Sequence, residues 1–249
     1  IPLIYTHHNS VLGKGRYIYS FFNKIVSQYI GISRVCSTIL TKAGAKKVET
    51  IFNGVNIQNL LVKEKYTFNN ISIRAISVGG LIKQKNFVLL INALNFLFLR
   101  RLDLRKKFLL QIAGEGPQKK ELQVLIESLG LSENIHLLGN RSDIPRLLYD
   151  SDIFIMSSDW EGLPISLLEA ITTGLPVIVT DVGGCREVVE SCGAGLVVNP
   201  GDSAKLSEAI EYMIDNPQEA QKMAASARQN SHKFSIEKAA EKHINLYDK

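Results

Sequence analysis

Glu161 and Glu169 are the two side chains whose type and spacing most directly indicate chemistry in this sequence. An apolar run at 153–156 predicts a buried parallel strand, and the polar residues 157–162 predict the loop that follows it. Pro164 suits the first position of a helix. Glu161 would therefore lie in the loop at the carboxyl end of a strand, where open α/β sheets bind ligands, and Glu169 would lie less than two turns into the helix.

The start of that helix offers a second kind of group. Its first-turn amides, near Ile165 and Ser166, have no partners within the helix and could hold an anion between the two carboxylates. A ligand with an anionic middle and hydroxyl-rich ends fits this arrangement, and a nucleotide diphosphate sugar is such a ligand. The spacing alone is equally compatible with a solvated loop glutamate and an ordinary surface pair on the helix.

The elements that would position these residues alternate regularly from residue 71 onward. Such alternation predicts a parallel sheet with helices on both faces. The predicted strands lie near 71–78, 107–113, 134–138, 152–156, 176–180 and 195–198. The predicted helices lie near 86–100, 117–129, 143–149, 164–173, 184–190 and 202–215, with two more at 218–232 and 235–247.

Residues 1–60 predict the end of a separate α/β domain, joined to the sheet by a polar linker over 61–70. Its predicted strands are 3–5, 34–37 and 48–52. Helical spacing of apolar residues predicts a helix over 16–30, and a brief helix should follow the strand at 34–37.

Several motifs, taken together, resemble a known family. The segment from Glu161 to Glu169 matches the E-x7-E signature of the retaining glycosyltransferases of family 4, which have the GT-B fold. Further matches cover nearly the whole chain in the family's order, at 52–55, 77–81, 84–86, 113–117, 139–143 and 180–184. The resemblance implies an α/β protein with two Rossmann-like domains.

The resemblance also implies how the chain is divided. Residues 1–60 would belong to the acceptor domain, 71–232 would form the nucleotide-sugar domain, and 233–249 would form a terminal helix that packs back on the first domain. The family places about a hundred residues before the first strand, so we expect the chain to be truncated at its N-terminus.

By the same resemblance, the chain would move a sugar from a nucleotide-sugar, UDP-linked donor to a hydroxyl of a cell-surface polysaccharide or lipid-linked acceptor. The catalytic residues would be His8, near the reacting bond, and Glu161, on the sugar hydroxyls. Glu169 would bind the ribose and Lys85 the phosphates. The full set of expected donor-binding residues is Gly79, Gly80, Lys83, Lys85, Arg141, Gly162, Leu163, Pro164, Ile165 and Glu169.

Gly80 departs from the family pattern, which usually has arginine at this position. Arginine and lysine usually hold the diphosphate together, so Lys83 is the residue expected to compensate. The same departure keeps open a catalytically silent nucleotide-binding partner. A nucleotide-sugar epimerase on the same fold is a further alternative, for which His8 is the obvious acid–base candidate.

Other motifs exclude cofactors. Gly114 and Gly116 begin a dinucleotide-binding pattern, but Lys119 stands where its third glycine would be, so NAD is rejected. Asp150 and Asp152 resemble a metal-binding pair but precede their strand, at the wrong edge of the sheet. We expect them to end a helix and start a strand, and we expect no bound metal or other cofactor. At 139–143, Arg141 would lie near a base, and Asp143 would either help there or cap a helix.

Charge and cysteine content indicate which partners and which cellular location to expect. The net charge is +5 and the pI is near 9, but the lysines are spread along the chain. A solvated surface is the simpler explanation, with weak attraction to an anionic membrane surface as the alternative and no nucleic-acid partner. The three cysteines have no metal-binding spacing and indicate reduced thiols. We therefore expect a cytoplasmic location, either free or peripheral on the inner membrane face.

Overall fold

Two parallel sheets organise the chain. The structure, a computed structural model, describes residues 2–11, 18–68 and 71–247. In these ranges the smaller sheet is formed by β1 (Leu3–His7), β2 (Val26–Gly31) and β3 (Val48–Thr50), in that order. The larger sheet is formed by β4 (Ile73–Val78), β5 (Phe108–Ala113), β6 (Ile135–Gly139), β7 (Ile153–Met156), β8 (Val177–Thr180) and β9 (Gly195–Val198). Its strands lie in the order β6-β5-β4-β7-β8-β9, all parallel.

The helices are connected to these strands in alternation. They are α1 (Ile18–Phe22), α2 (Arg34–Lys42), α3 (Phe87–Arg100), α4 (Leu102–Arg105), α5 (Lys119–Ser128), α6 (Ile144–Asp150), α7 (Ile165–Thr173), α8 (Cys185–Cys192), α9 (Ser203–Asp215), α10 (Pro217–Asn230) and α11 (Ile236–Tyr247). The predicted elements from residue 71 onward are found close to their predicted bounds. None of the described helices is both long enough and apolar enough to cross a membrane.

Both faces of the larger sheet are covered, as its apolar strands require. Within β7, Ile153 and Ile155 face one buried cluster, whereas Phe154 and Met156 face the other. The first cluster includes side chains of α3, α5 and α9, and the second includes side chains of α6, α7, α8 and α10. With both faces covered, a ligand is expected at the carboxyl ends of the strands, as in other open α/β sheets.

The smaller sheet with its helices is called here the smaller lobe, and the larger sheet with its helices the larger lobe. Two predictions for the smaller lobe are wrong. The helix expected over 16–30 is the short α1 followed by the strand β2, and the strand expected at 34–37 is the first turn of α2. The side chain of Ser33 accepts a hydrogen bond from the Cys36 amide and so caps α2. Tyr19 and Tyr29 do share one cluster, but they reach it from different elements.

The chain passes from one lobe to the other twice, near residue 55 and near residue 235, and these two segments are hydrogen-bonded to each other. The Val55 amide donates to the Phe234 carbonyl, and the Ile236 amide donates to the Val55 carbonyl, each at 2.9 Å. After the second crossing, α11 returns to the small sheet, where Leu246 packs with Ile30 and Ile51. Helix α11 thus packs, through Leu246, on one face of the small sheet.

The segment at 61–68, expected to be a linker, has neither helix nor strand and is held against the larger lobe. The Lys63 amide donates to the Thr173 carbonyl, and the Tyr66 hydroxyl donates to the Asp152 carbonyl at 2.7 Å. Residues 69 and 70 lie outside the described ranges.

Candidate active site

A buried ion pair lies at the carboxyl edge of the larger sheet. Lys85 Nζ is 2.6 Å from Glu161 Oε1, and their side chains are 16% and 7% exposed. Lys85 ends a short 3-10 turn after β4, and Glu161 belongs to the loop after β7, so adjacent strands deliver them to the same place. The structure thus brings together two residues that the sequence assigned to one site.

Neighbouring groups fix the orientation of the Glu161 carboxylate. The Ser158 hydroxyl donates to Oε1 at 2.8 Å and Gln84 Nε2 donates to Oε2 at 3.1 Å. Gln84 also donates to the Trp160 carbonyl at 2.9 Å, and Thr180 Oγ1 donates to the Ser158 carbonyl at 2.6 Å. Both carboxylate oxygens are therefore satisfied and fixed, as a buried charge requires.

Sequence reasoning missed Gln84 and Ser158 as site residues. Gln84 lies in the motif 84–86, so its position was available, but nothing in its residue type indicated that its amide would reach Glu161. Ser158 lies three residues before Glu161 in the polar loop, a local spacing at which side chains can meet.

Two glycines follow β4 and differ in the space around them. A Cβ at Gly79 would lie 2.9 Å from Lys85 Cε, so the glycine leaves room for the lysine stem. A Cβ at Gly80 would meet the Glu115 carbonyl oxygen at an ordinary 3.6 Å. Lys83 is exposed at the start of the 3-10 turn. The absence of a side chain at Gly80 is thus not imposed by crowding.

Helix α7 begins at Ile165, one residue later than expected, so Pro164 occupies the capping position and not the first helical position. Among the described side chains, none caps this end. The amides of its first turn are therefore available to an anion beside Lys85 and Glu161. Glu169, further along α7, is half-buried, and burial raises the pKa of its carboxyl group.

The loop containing Gly162 is packed tightly between the lobes. A Cβ at Gly162 would collide with the His8 carbonyl oxygen, and a Cβ at Gly183 would collide with the carbonyls of Glu161 and Gly162. Asn53 Nδ2 donates to the Leu163 carbonyl at 3.0 Å. The end of β1 and the loop after β7 therefore touch through their main chains.

His7, which ends β1, and His8, which follows it, occupy opposite environments. His7 is buried against Tyr5 and burial lowers its pKa, whereas the His8 side chain is exposed. His8 lines a cavity of about 370 Å³ beside the site, together with Ile165. This contrast follows the strand alternation and keeps His8 as the histidine that a ligand could reach.

Arg141 is not joined to this cluster. Its guanidinium donates two hydrogen bonds to Asp143, at 2.8 and 2.7 Å. Asp143 occupies the capping position of α6, but its carboxylate makes no capping hydrogen bond, so of the two roles considered for it, side-chain capping is not observed. The pair is exposed and lies after β6, at the same sheet edge as the ion pair.

Asp150 and Asp152 lie at the opposite edge, before β7, as expected. Asp152 Oδ2 accepts a hydrogen bond from the Arg74 amide at 2.8 Å, and Asp150 pairs with Arg146 at 2.6 Å. The Asp152 contact ties β4 to the start of β7, whereas the Asp150 pair lies within α6. Within the described ranges, no three acidic, histidine or cysteine side chains are grouped to hold a metal ion.

The fold, with the ion pair at the carboxyl edge of the larger sheet, identifies the class of protein to which the chain belongs. The structure superposes on Anabaena Alr3699/HepE, which was crystallised with UDP, with a TM-score of 0.87 and 23% identity, covering 99% of this chain and 72% of that one. The chain accordingly has the GT-B fold of glycosyltransferases. It belongs to the family glycosyl transferases group 1, whose model matches residues 61–230.

Two relatives illustrate the similarity within the family. A protein named glycosyltransferase EpsD from Bacillus subtilis is 30% identical over 191 residues, which cover 77% of this chain and 49% of that protein. UDP-Gal:alpha-D-GlcNAc-diphosphoundecaprenol alpha-1,3-galactosyltransferase of Escherichia coli is 30% identical over 179 residues, covering 68% of this chain and 46% of that enzyme. The chain thus spans about half the length of these relatives.

Proposed function

We propose that this chain carries the donor site of a retaining glycosyltransferase that moves a hexosyl group from a UDP-sugar to a hydroxyl of a cell-surface polysaccharide or lipid-linked acceptor. The observation that carries the proposal is the buried pair of Lys85 and Glu161 beside the uncapped start of α7. The name of the Escherichia coli relative supports a lipid-linked acceptor, and the UDP in the HepE crystal supports a UDP donor.

In the proposed complex, Lys85 and the first amides of α7 hold the diphosphate. As the bond from the sugar to the diphosphate breaks, negative charge develops on the leaving phosphate, and these fixed positive groups stabilise it. Lys83 and the main chain at Gly79 and Gly80 complete the phosphate contacts.

Glu161 would accept hydrogen bonds from hydroxyls of the transferred sugar. Ser158 and Gln84 hold its carboxylate in place before the donor arrives, so little rearrangement is needed on binding. Glu169 would accept hydrogen bonds from the ribose hydroxyls, and His8 would approach the sugar near the reacting bond. The main chain near Arg141 would contact the base, and residues 162–165 would line the site between phosphate and sugar.

A lipid-linked acceptor implies transfer at a membrane surface on the cytoplasmic side. The net charge of +5 favours approach to an anionic surface.

Isothermal titration with UDP tests the donor site, and product analysis with a panel of UDP-sugars and membrane extract as acceptor source tests the reaction. We expect this chain to bind UDP without measurable sugar transfer, because transfer needs the acceptor held against the donor across a closed cleft and the chain spans about half the length of the relatives above. Robust transfer by this chain would contradict that expectation. Hydrolysis of the UDP-sugar would separate a transferase from a silent partner, and isomerised nucleotide-sugar would indicate an epimerase. Absence of UDP binding would contradict the proposed site.

A further inference from the structure

The cavity lined by His8 is formed in part by the terminal helix. Its walls come from the end of β1, the loop after β3, the start of α7 and the residues Ala239, Ala240 and His243 of α11. At about 370 Å³ it is near the lower end of the size range of small-molecule sites, roughly 300–1,000 Å³, and so suits a single small ring.

The shape of the cavity follows from residue size along α11. Leu246 fills the face of the helix that lies over Ile4, Ile30 and Ile51. Towards the start of the helix, the small residue Ala239 lies on the same side as Leu246, and its small neighbour Ala240 also lines the cavity, so these positions leave space above the end of β1. Thr6 and His8 lie on the face of β1 that Ile4 also occupies, so they line this space.

The polar groups around the cavity have unused hydrogen-bonding capacity. His243 Nδ1 lies 2.8 Å from the Ala239 carbonyl, so it must carry the proton, and Nε2 of the neutral ring is left as an acceptor. Asn53 donates through Nδ2 to Leu163, which leaves its side-chain oxygen as a second acceptor. Among the described residues, neither of these acceptors nor the Thr6 hydroxyl has a hydrogen-bond partner.

The remaining walls are apolar, with Ile32, Phe52, Ile165 and Ile236 prominent. Apolar walls with a few polar groups suit a sugar ring, because its C–H faces can pack on the walls while its hydroxyls bond the polar groups. The cavity also adjoins the proposed donor site, since His8 lines it and the His8 main chain touches Gly162.

We infer that this cavity is an acceptor subsite that holds one pyranose ring, with His243 as a specificity-determining residue that accepts a hydrogen bond from a ring hydroxyl. The inference rests on the proposed function, because it names the substrate class on the acceptor side of the same site. The terminal helix would then supply part of the substrate-binding surface.

The test uses the 249-residue chain with saturating UDP and methyl α-glycosides of glucose, galactose and N-acetylglucosamine as probes. Saturation-transfer NMR should detect binding of at least one glycoside to the unaltered chain. His243→Ala should raise its dissociation constant about five-fold, the effect of one neutral hydrogen bond. Ala240→Leu places a larger side chain in the cavity from an exposed position and should abolish binding.

The matched control is Asn245→Ala, which removes an exposed polar side chain from α11 outside the cavity and should leave glycoside binding unchanged. UDP affinity, measured by calorimetry, should be the same in all four proteins. The inference is overturned if no glycoside binds the unaltered chain, or if His243→Ala, with an unaltered melting curve, binds it equally well. Loss of UDP binding by the unaltered chain would instead count against the proposed function, and glycoside binding measured without UDP would still decide the inference.

Discussion

Lys85 Nζ lies 2.6 Å from Glu161 Oε1, the same distance as in the surface pair Lys119 and Glu115, but the first pair is buried and the second is exposed to solvent. The side chains of the first pair are 16% and 7% exposed, and those of the second are 48% and 46% exposed. Water screens the second pair and leaves the first largely unscreened. The chain therefore contains its own control for the energetics of the candidate site.

Glu161→Gln should destabilise the ligand-free protein by about 3 kcal/mol, because it leaves the Lys85 charge buried without a carboxylate. Glu115→Gln should change stability by no more than about 0.5 kcal/mol, since its partner is solvated. Denaturant unfolding of both variants measures the difference. Equal losses would show that burial does not set the strength of the Lys85 pair.

Glu169→Ala should weaken UDP binding by about 1.5–3 kcal/mol if its carboxylate accepts hydrogen bonds from the ribose. Glu161→Ala should weaken binding of plain UDP less, because Glu161 is assigned to the sugar and its removal frees Lys85 for the phosphates. Titration calorimetry with UDP compares the two. Equal losses would contradict this division of roles.

Glu169→Gln should stabilise the ligand-free protein at pH 7. Burial raises the pKa of Glu169, so the folded state binds its proton more tightly than the unfolded state does. Stability due to this group is therefore highest below its ordinary pKa of about 4.5 and is lost as pH rises through the raised value. The glutamine variant does not titrate, so its advantage should disappear near pH 4. Thermal unfolding at both pH values checks this, and an advantage that persists at pH 4 would point to packing instead of charge.

Gly80→Arg should strengthen UDP binding about tenfold, because a guanidinium can bond a phosphate with two N–H groups. The structure accommodates a Cβ at Gly80 at ordinary contact distance. Gly79→Ala is the contrasting variant: its methyl group would lie 2.9 Å from Lys85 Cε, displace the lysine and weaken binding. Calorimetry on both variants decides the matter. Unchanged or weaker binding by Gly80→Arg would indicate that Lys83 already occupies the space.

The larger sheet was predictable because its strands are short apolar runs separated by helices of regular length. The run at 153–156, for example, is fully buried as β7, and Gly174 ends α7 in the left-handed conformation that favours glycine. Here local pattern and burial agree, so the sequence determines the element and its bounds.

The small sheet was predicted less well because the spacing of its apolar and aromatic residues imitates that of a helix. Tyr19, Val26 and Tyr29 have helical spacing, but Tyr19 lies on α1 whereas Val26 and Tyr29 lie on β2. All three pack in one cluster, which is a tertiary contact that periodicity cannot distinguish from a helical face. The Ser33 cap was a local signal for α2 that could have been used.

The candidate site was predictable in part. Parallel strands bring their carboxyl ends to one edge, so the sequence could place Lys85 and Glu161 near each other. The ion pair between them, and its support by Ser158 and Gln84, depends on side-chain geometry between loops that lie far apart in sequence. For the same reason, the pairing of Arg141 with Asp143 was not foreseen.

The return of α11 to the small sheet has a consequence for biosynthesis. The ribosome makes Ile4, Ile30 and Ile51 before the larger lobe and Leu246 after it. While the larger lobe can form as its own strands emerge, the apolar face of the small sheet stays uncovered until α11 has been made. Nascent chains would therefore expose this face to chaperones or to one another until α11 packs on it.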